Sequence, residues 1–530
     1  MDDRRLGMTR RSFVRAAGLA TMGMLSAPTI MSCVSPTRPS WRAGNPFQLG
    51  VAAGVPSPDG FVLWTRLAPD PLSADPARPG GMSGGPVAVA YEVSSAPDFR
   101  NILRKGIGMA DPEYAYSVHV EVTGLAPGRM YWYRFTSGDA SSRAGFALTA
   151  PSPGAAVERL RFGFVSCSNY EHGYFSAYRH LADEHPDLVL FLGDYIYEHV
   201  DPQPDAVRHH SDGVPARDLR TYRNRYAQYR LDPDLQQLHA ESTALLTWDD
   251  HEVQNDYADQ WSETFDDPAA FLIRRAAAYQ AFYEHMPLRS PSRPSGPSLH
   301  LYDHLDWGSL ARIFLLDGRQ YRSREACYGA PGHGGGHLET DVSCPERLEP
   351  ARSLLGAAQE EWLYEGLARS TVRWNLLAQD VLMARLRQGD RYWTDDWNGY
   401  PANRSRLLRH IQESRVSNPV VLSGDIHSFW ANDLKADFDD PRSATVATEF
   451  VATSISSHGV PYEQFLRYLP DNPHVRYFES RRRGYVSAEV TPEKMTTRFQ
   501  AVDDATDPRS DVSTLQTFVV ETGRPGPQSA

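Results

Sequence analysis

Residues 160–198 read LRFGFVSCSNYEHGYFSAYRHLADEHPDLVLFLGDYIYE, and this stretch decides the fold. Residues 160–165 form a short apolar run with β-branched and aromatic side chains, and residues 187–192 (DLVLFL) are a continuous run of the kind buried on both faces of a sheet. Between them, residues 174–183 have helical spacing, with Phe175, Tyr178 and Leu181 three positions apart. The pattern predicts a βαβ unit. Ligands in open parallel sheets gather beyond the carboxyl ends of the strands. There the first strand delivers Cys167, and the second delivers Asp194 and then Tyr197. A thiol, a carboxylate and a phenol converging at one edge point to a site for a hard trivalent metal.

Working outward, the same alternation of strand and helix continues towards the C-terminus. Strands are expected at 242–247, 310–316, 374–378, 419–422 and 447–454, and helices at 220–238, 269–285, 359–369 and 404–415. A hairpin is expected around 491–494, and the 524–530 tail is expected to be disordered. The polar stretch after Glu198, up to Asp218, reads as a long surface loop and a candidate lid. Trp393, Trp397 and Tyr400 fit either a pocket rim or the core. Before the βαβ unit the pattern is different: short alternating runs with turn signals such as Pro58-Asp59-Gly60 and no helical period. An all-β, fibronectin-like sandwich is therefore expected at 44–150, linked by 151–157 to a catalytic domain at 158–523.

The chain has 530 residues, 41% hydrophobic and 11% aromatic, enough for a large core and more than one domain. Its formal charge of −12 argues against a nucleic-acid-binding surface, which needs basic stripes to neutralise phosphates. Thr9-Arg10-Arg11-Ser12-Phe13-Val14-Arg15 precedes a Gly/Ala-rich apolar run at 16–31 and resembles a twin-arginine signal, placed at 1–35. That run is shorter and less apolar than the roughly 20 residues a membrane span requires, so no transmembrane span is expected in the mature protein. The resemblance implies export by the twin-arginine machinery to the periplasm or beyond, with Cys33 a candidate for lipid attachment. In an oxidising compartment Cys327 and Cys344, flanking one Gly/His-rich loop, are expected to pair. Cys167 then remains as a free thiol at a strand end.

Collected by strand end, the chemistry comprises Cys167; Asp194 and Tyr197; Asp249, Asp250 and His251; Arg319 and Arg322; and Asp425 and His427. Carboxylates grouped at one buried edge repel one another unless cations neutralise them. Oxygen-rich ligands favour hard ions, while imidazole, thiolate and phenolate add a preference for a transition metal such as iron. Several metals in one pocket are the usual machinery of phosphoryl transfer: they hold phosphate oxygens and acidify a bound water.

The motifs Gly193-Asp194-Tyr195-Ile196-Tyr197-Glu198, Trp248-Asp249-Asp250-His251-Glu252, Asp317-Gly318-Arg319-Gln320-Tyr321-Arg322 and Ser423-Gly424-Asp425-Ile426-His427 resemble the alkaline phosphatase D (PhoD-like) family of metallophosphoesterases. The resemblance covers nearly the whole mature chain. It implies an α/β fold, a double β-sheet sandwich flanked by helices and preceded by the immunoglobulin/fibronectin-like β domain. It further implies a ferric ion (Fe3+) and calcium (Ca2+). By motif position, Cys167, Tyr197 and His427 would ligate the iron and Asp194 would bridge the metals. Asp425, Asp250 and Asn255 would serve calcium, His251 would face the phosphate, and Arg319 and Arg322 would hold the phosphate as a bidentate fork. The Asp-x-His of ordinary metallophosphoesterases is replaced by Ser166-Cys167-Ser168, which disfavours a conventional di-zinc or di-manganese site. The implied function is a secreted alkaline phosphatase acting on phosphate monoesters and diesters through a metal-activated hydroxide. The alternatives are a phospholipase D-type or teichoic-acid phosphodiesterase and, of another class, a non-catalytic surface-binding protein.

Overall fold

The computed structural model describes Trp41 and residues 44–201, 206–329, 334–440 and 442–530. The twin-arginine segment and Cys33 lie outside the described residues. Strands Leu160–Val165 and Leu188–Leu192 run parallel, with Phe162 opposite Leu188 and Val165 opposite Phe191, joined by helix Ser176–Asp183. This βαβ unit is the centre of a ten-stranded sheet. On one side Thr243–Thr247 continues it in parallel, and on the other Arg483–Val490 pairs antiparallel. A second, seven-stranded sheet contains Ala311–Leu315, Trp374–Ala378, Pro419–Ser423 and Thr445–Val451, all parallel to their neighbours in that run.

The period of two along each strand explains the layering. Leu188, Leu190 and Leu192 point inward with Phe162 and Phe164 and meet Ile313, Leu376, Val420 and Leu422 of the second sheet. The alternate residues Val189 and Phe191 point outward into a core with Tyr178, Leu181 and Tyr226. On the far side Leu377 and Val421 pack under helices Ala357–Ala368 and Pro401–Glu413, against Leu363, Leu367, Leu407 and Leu408. Strands buried on both faces need unbroken apolar runs, which is why 187–192 shows no polar alternation. The double-sheet sandwich flanked by helices is thus present.

The N-terminal region is all-β, as expected, but it is not set apart. Strand Val51–Ser57 pairs in parallel with Thr243–Thr247, and Gly60–Arg66 and Ser117–Val122 follow it to the sheet edge. One layer of the N-terminal sandwich is therefore a continuation of the main sheet. Its other layer, Val87–Ser94, Ile102–Ala110 and Met130–Ser137, closes over Val51, Phe61, Leu63 and Val118.

Three local expectations are corrected. The single helix expected at 220–238 is two, Leu219–Arg230 and Pro233–Glu241. Pro233 cannot continue a helix but suits a first turn, and Asp232 caps the new one by accepting from the Asp234 and Leu235 N–H groups. The C-terminal tail is not disordered: Arg524–Ser529 forms a hairpin strand with Val512–Glu521 around Gly523 at φ 77°. Its Pro525 and Pro527 are tolerated because the strand lies at the sheet edge. The described part of 199–218 is tied down rather than poised as a lid. Val207 N–H donates to Glu171 O, Ala216 N–H to Glu198 O, and Arg208 stacks on Tyr170 while pairing with Asp232 at 2.7 Å. Trp397 and Tyr400 belong to the core, and Trp393 is half-buried on the short strand Tyr392–Trp393. Cys327 and Cys344 form a disulfide.

Candidate metal centre

The carboxyl ends of the parallel strands of both sheets meet at one edge. Ser166, just past Leu160–Val165, bridges Ser454 beyond Thr445–Val451, and the Cys167 thiol lies 3.7 Å from the Asp425 carbonyl oxygen. Four expected ligands sit in the left-handed backbone region: Cys167 at φ 60°, Asp194 at 52°, Asp425 at 67° and His427 at 50°. For residues with a side chain this conformation costs about 1–3 kcal/mol each and persists where surrounding structure imposes it. Here it turns the Cys167, Asp194 and His427 side chains towards a common point. Gly193, at φ 103°, allows the 193–197 turn to touch the next one: a Cβ there would lie 2.4 Å from the Asp249 Cβ.

The Cys167 sulfur, an Asp194 carboxylate oxygen and a His427 ring nitrogen all lie within 4.8 Å of one another. The Tyr197 phenol joins them, 2.9 Å from Asp194 Oδ2 and 3.0 Å from His427 Nε2. His427 Nδ1 lies 2.8 Å from the His458 carbonyl, which can only accept. The proton is therefore on Nδ1, and Nε2 presents a lone pair, the form in which imidazole binds a metal. From Asp194 the cluster continues. Asp194, Asp250 and His251 form a second group of ligand atoms within 4.8 Å, and Asp250, Asp256 and Asp395 a third. Asn255 stands at the margin: its N–H donates to Glu198 Oε1 at 3.0 Å and its side chain bonds Glu263.

The electrostatics of this edge call for cations. Burial, then Asp194 and Asp425, push the Cys167 thiol well up. Burial and the neighbouring carboxyls of Asp250, Glu252 and Asp425 do the same to Asp194, and loss of solvent with Asp395 and Asp250 raises Asp425. The Tyr197 phenol is raised by burial and by Asp194. Burial alone would lower His251, but Asp250, Asp194 and Glu198 outweigh it and hold the imidazole well above its ordinary range. Acids that burial and mutual repulsion drive towards their neutral forms become good ligands once cations arrive. A thiol, a phenol, an imidazole lone pair and a carboxylate suit a ferric ion; the adjoining oxygen-only carboxylates suit calcium. The residues present fit the metals.

Two expected site residues need correction. Arg319 and Arg322, expected as the phosphate fork, are buried and bonded to carboxylates of the chain itself. Arg319 is fully buried, with Nε 2.5 Å from Asp249 and its two Nη atoms 2.7 and 2.8 Å from the Asp395 carboxylate. Arg322 donates to Gly318 O at 2.5 Å and to Asp395 Oδ1 at 2.7 Å. The bidentate fork is real, but carboxylates of the chain itself occupy it. Both arginines position acidic residues behind the centre.

Several working residues were not singled out from the sequence. Glu252 accepts the N–H groups of Asp194, Tyr195 and Asp249 at 3.2, 2.6 and 2.8 Å, clamping two ligand turns together. Glu198 holds His251 Nδ1 at 2.7 Å. Both lie inside the quoted motifs, so their position was visible although their tasks were not. Asp256 and Asp395 had no sequence signal: Asp256 lies nine residues past the nearest strand end, and the strand before Asp395, Tyr392–Trp393, is only two residues long.

Residues 162–499 match the PhoD-like phosphatase family, and residues 33–151 match the PhoD-like phosphatase N-terminal domain. The chain belongs to the PhoD-like phosphatases. It is 42% identical over 532 residues to alkaline phosphatase D of Bacillus subtilis (strain 168), covering 98% of this chain and 88% of that one. A solved structure titled "Structure of PhoD" superposes with a TM-score of 0.86 at 43% identity, covering 93% of each chain. Membership in this family makes the chain a phosphoric ester hydrolase.

Proposed function

We propose that this chain is an exported, metal-dependent alkaline phosphatase that hydrolyses phosphate monoesters and diesters at the strand-end centre. The observation that carries the reading is the meeting of Cys167, Asp194, Tyr197 and the His427 Nε2 lone pair beside an oxygen-only cluster. Cys167, Asp194, Tyr197 and His427 would hold a ferric ion; Asp194, Asp250 and Asp425, with Asn255 at the margin, would serve calcium. Bound there, such cations would supply positive charge for phosphate oxygens and would lower the pKa of water at the site.

The chain's own residues supply the rest. Glu198 fixes His251 through Nδ1, leaving Nε2 to face substrate and to hand a proton to the departing ester oxygen. Glu252 and Arg319 act one layer behind: the first locks the Asp194 and Asp249 turns, and the second compensates Asp249 and Asp395. Burial of these groups excludes bulk water and strengthens their electrostatic action. The Cys327–Cys344 disulfide supports an oxidising destination. No helix among the described residues is long and apolar enough to cross a membrane.

Asp194→Asn tests the reading. It removes charge from the ligand shared by both clusters, so metal retention and turnover of p-nitrophenyl phosphate and its diester analogue are expected to vanish together. Full activity in that variant would sink the assignment.

A further inference from the structure

Strand Thr445–Val451 leads into the polar run Thr453-Ser454-Ile455-Ser456-Ser457-His458, which lies against the thiol–phenol–imidazole side of the centre. The run touches three of the four ligands there. Ile455 N–H donates to Ser166 O at 3.0 Å and Ser457 N–H to Cys167 O at 3.3 Å, holding the cysteine in its left-handed turn. The His458 carbonyl accepts from His427 Nδ1 and so sets that tautomer. The Ser457 hydroxyl lies 2.8 Å from the Tyr197 phenol oxygen, fully buried.

The direction of that last bond comes from counting protons. Ser457 Oγ accepts from the Asn169 N–H at 3.3 Å and has one proton to give. Its candidate acceptors are the Tyr197 oxygen and, at 2.9 Å, the Cys167 carbonyl. That carbonyl already receives the Ser457 N–H. A tyrosine that binds a metal has lost its own proton and can only accept, so it becomes the stronger acceptor of the two. The loop is held in place for this. Arg483, buried, donates to Ser454 Oγ at 3.1 Å and to the carbonyls of Ser457 and Ser480, while Ser454 Oγ donates to Ser457 O at 2.6 Å.

We propose that Ser457 is a positioning residue of the iron side. Its hydroxyl donates to the Tyr197 oxygen, aims the phenolate and reduces its donor strength towards the ion that Cys167, Asp194, Tyr197 and His427 would hold. The inference rests on the ferric reading above. Hydrogen bonds to first ligands commonly change metal affinity by about 10–100-fold and tune the electronic properties of the centre. Losing this bond raises the filled phenolate orbital and narrows the gap for charge transfer to iron.

The test uses the full exported holoenzyme and three variants: Ser457→Ala, Ser457→Thr and, as a control, Ser456→Ala. Ser456 Oγ donates to Asn169 O at 2.6 Å, and among the described residues only its backbone N–H bonds a ligand residue, at the Cys167 carbonyl, a contact alanine keeps. The readouts are the phenolate-to-ferric absorption band and the rate at which a chelator strips iron. Ser457→Ala is expected to move the band to longer wavelength, because the phenolate becomes the stronger donor, and to speed iron loss roughly ten-fold, because the phenolate is no longer aimed, while Ser456→Ala leaves the band in place. If Ser457→Ala holds no iron, Ser457→Thr is expected to restore both iron and the parent band; failure of Thr to restore them overturns the inference. An unmoved band in an iron-loaded Ser457→Ala protein overturns it too, as does an equal shift in Ser456→Ala. A parent enzyme with no such band overturns the ferric reading itself, and this inference with it.

Discussion

Replacing Arg319 separates the role seen in the structure from the one its motif implies. In Arg319→Met the side-chain volume is largely kept, so the cost comes from charge rather than from a cavity. Arg319 is the ion-pair partner of Asp249 among the described residues, at 2.5 Å. It also shares Asp395 with Arg322, each 2.7 Å from Oδ1. Its removal strands one buried carboxylate and halves the compensation of another, with Asp250 and Asp380 only 3.7 and 3.8 Å from the lost guanidinium. Breaking a buried pair by deleting one partner typically costs about 3–5 kcal/mol, and Arg319→Met is expected to fall in that range. The assay is equilibrium denaturant unfolding of the metal-loaded protein, alongside steady-state kinetics. Arg319→Lys keeps the charge but not the fork, so it should lie between parent and Met. The reasoning fails if Arg319→Met is within about 0.5 kcal/mol of the parent while KM rises and inhibition by inorganic phosphate disappears. Those are the marks of a residue that grips substrate.

Glu252→Ala leaves three buried N–H groups without their acceptor, each worth about 1–3 kcal/mol when unpaired. Metal content after a chelator challenge should fall sharply, with Glu252→Gln retaining part because its carbonyl still accepts; unchanged metal content in Glu252→Ala would contradict the clamp. The Cys327–Cys344 bond spans 17 positions and contributes about 3 kcal/mol through the unfolded chain. It also closes the loop whose Gly336 N–H holds Asp256 Oδ2 at 2.8 Å. Reductant should therefore lower the melting temperature of the parent and not that of a Cys327→Ser/Cys344→Ser variant; an unmoved parent would show the loop to be held by packing alone.

The strand-end logic was legible because it depends on short-range pattern. Apolar runs such as 187–192 announce strands buried on both faces, and parallel strands carry their terminal residues to one edge of the sheet. Cys167, Asp194, Asp250, His251 and Asp425 with His427 lie just beyond such runs, so the sequence alone could place them together. The features that escaped depend on long-range pairing. The parallel pairing of Val51–Ser57 with Thr243–Thr247 joins segments nearly two hundred positions apart, so the continuity of the N-terminal sandwich with the main sheet did not show. Arginine in a phosphatase motif looks alike whether it meets a phosphate or a buried aspartate, and Asp395 lies in a turn with no periodicity to mark it. Ser457 sits in a serine-rich run that reads as plain loop; only its contact with Tyr197, 260 positions away, reveals its task.

The central claim is that Cys167, Asp194, Tyr197 and His427 hold iron beside a calcium-binding carboxylate cluster. Metal analysis of the exported protein tests it most directly, taken with its visible spectrum and its p-nitrophenyl phosphate turnover before and after chelation. The account predicts about one iron per chain together with calcium, a phenolate–ferric band, and activity lost to the chelator. Full turnover with zinc or manganese and no iron would contradict it.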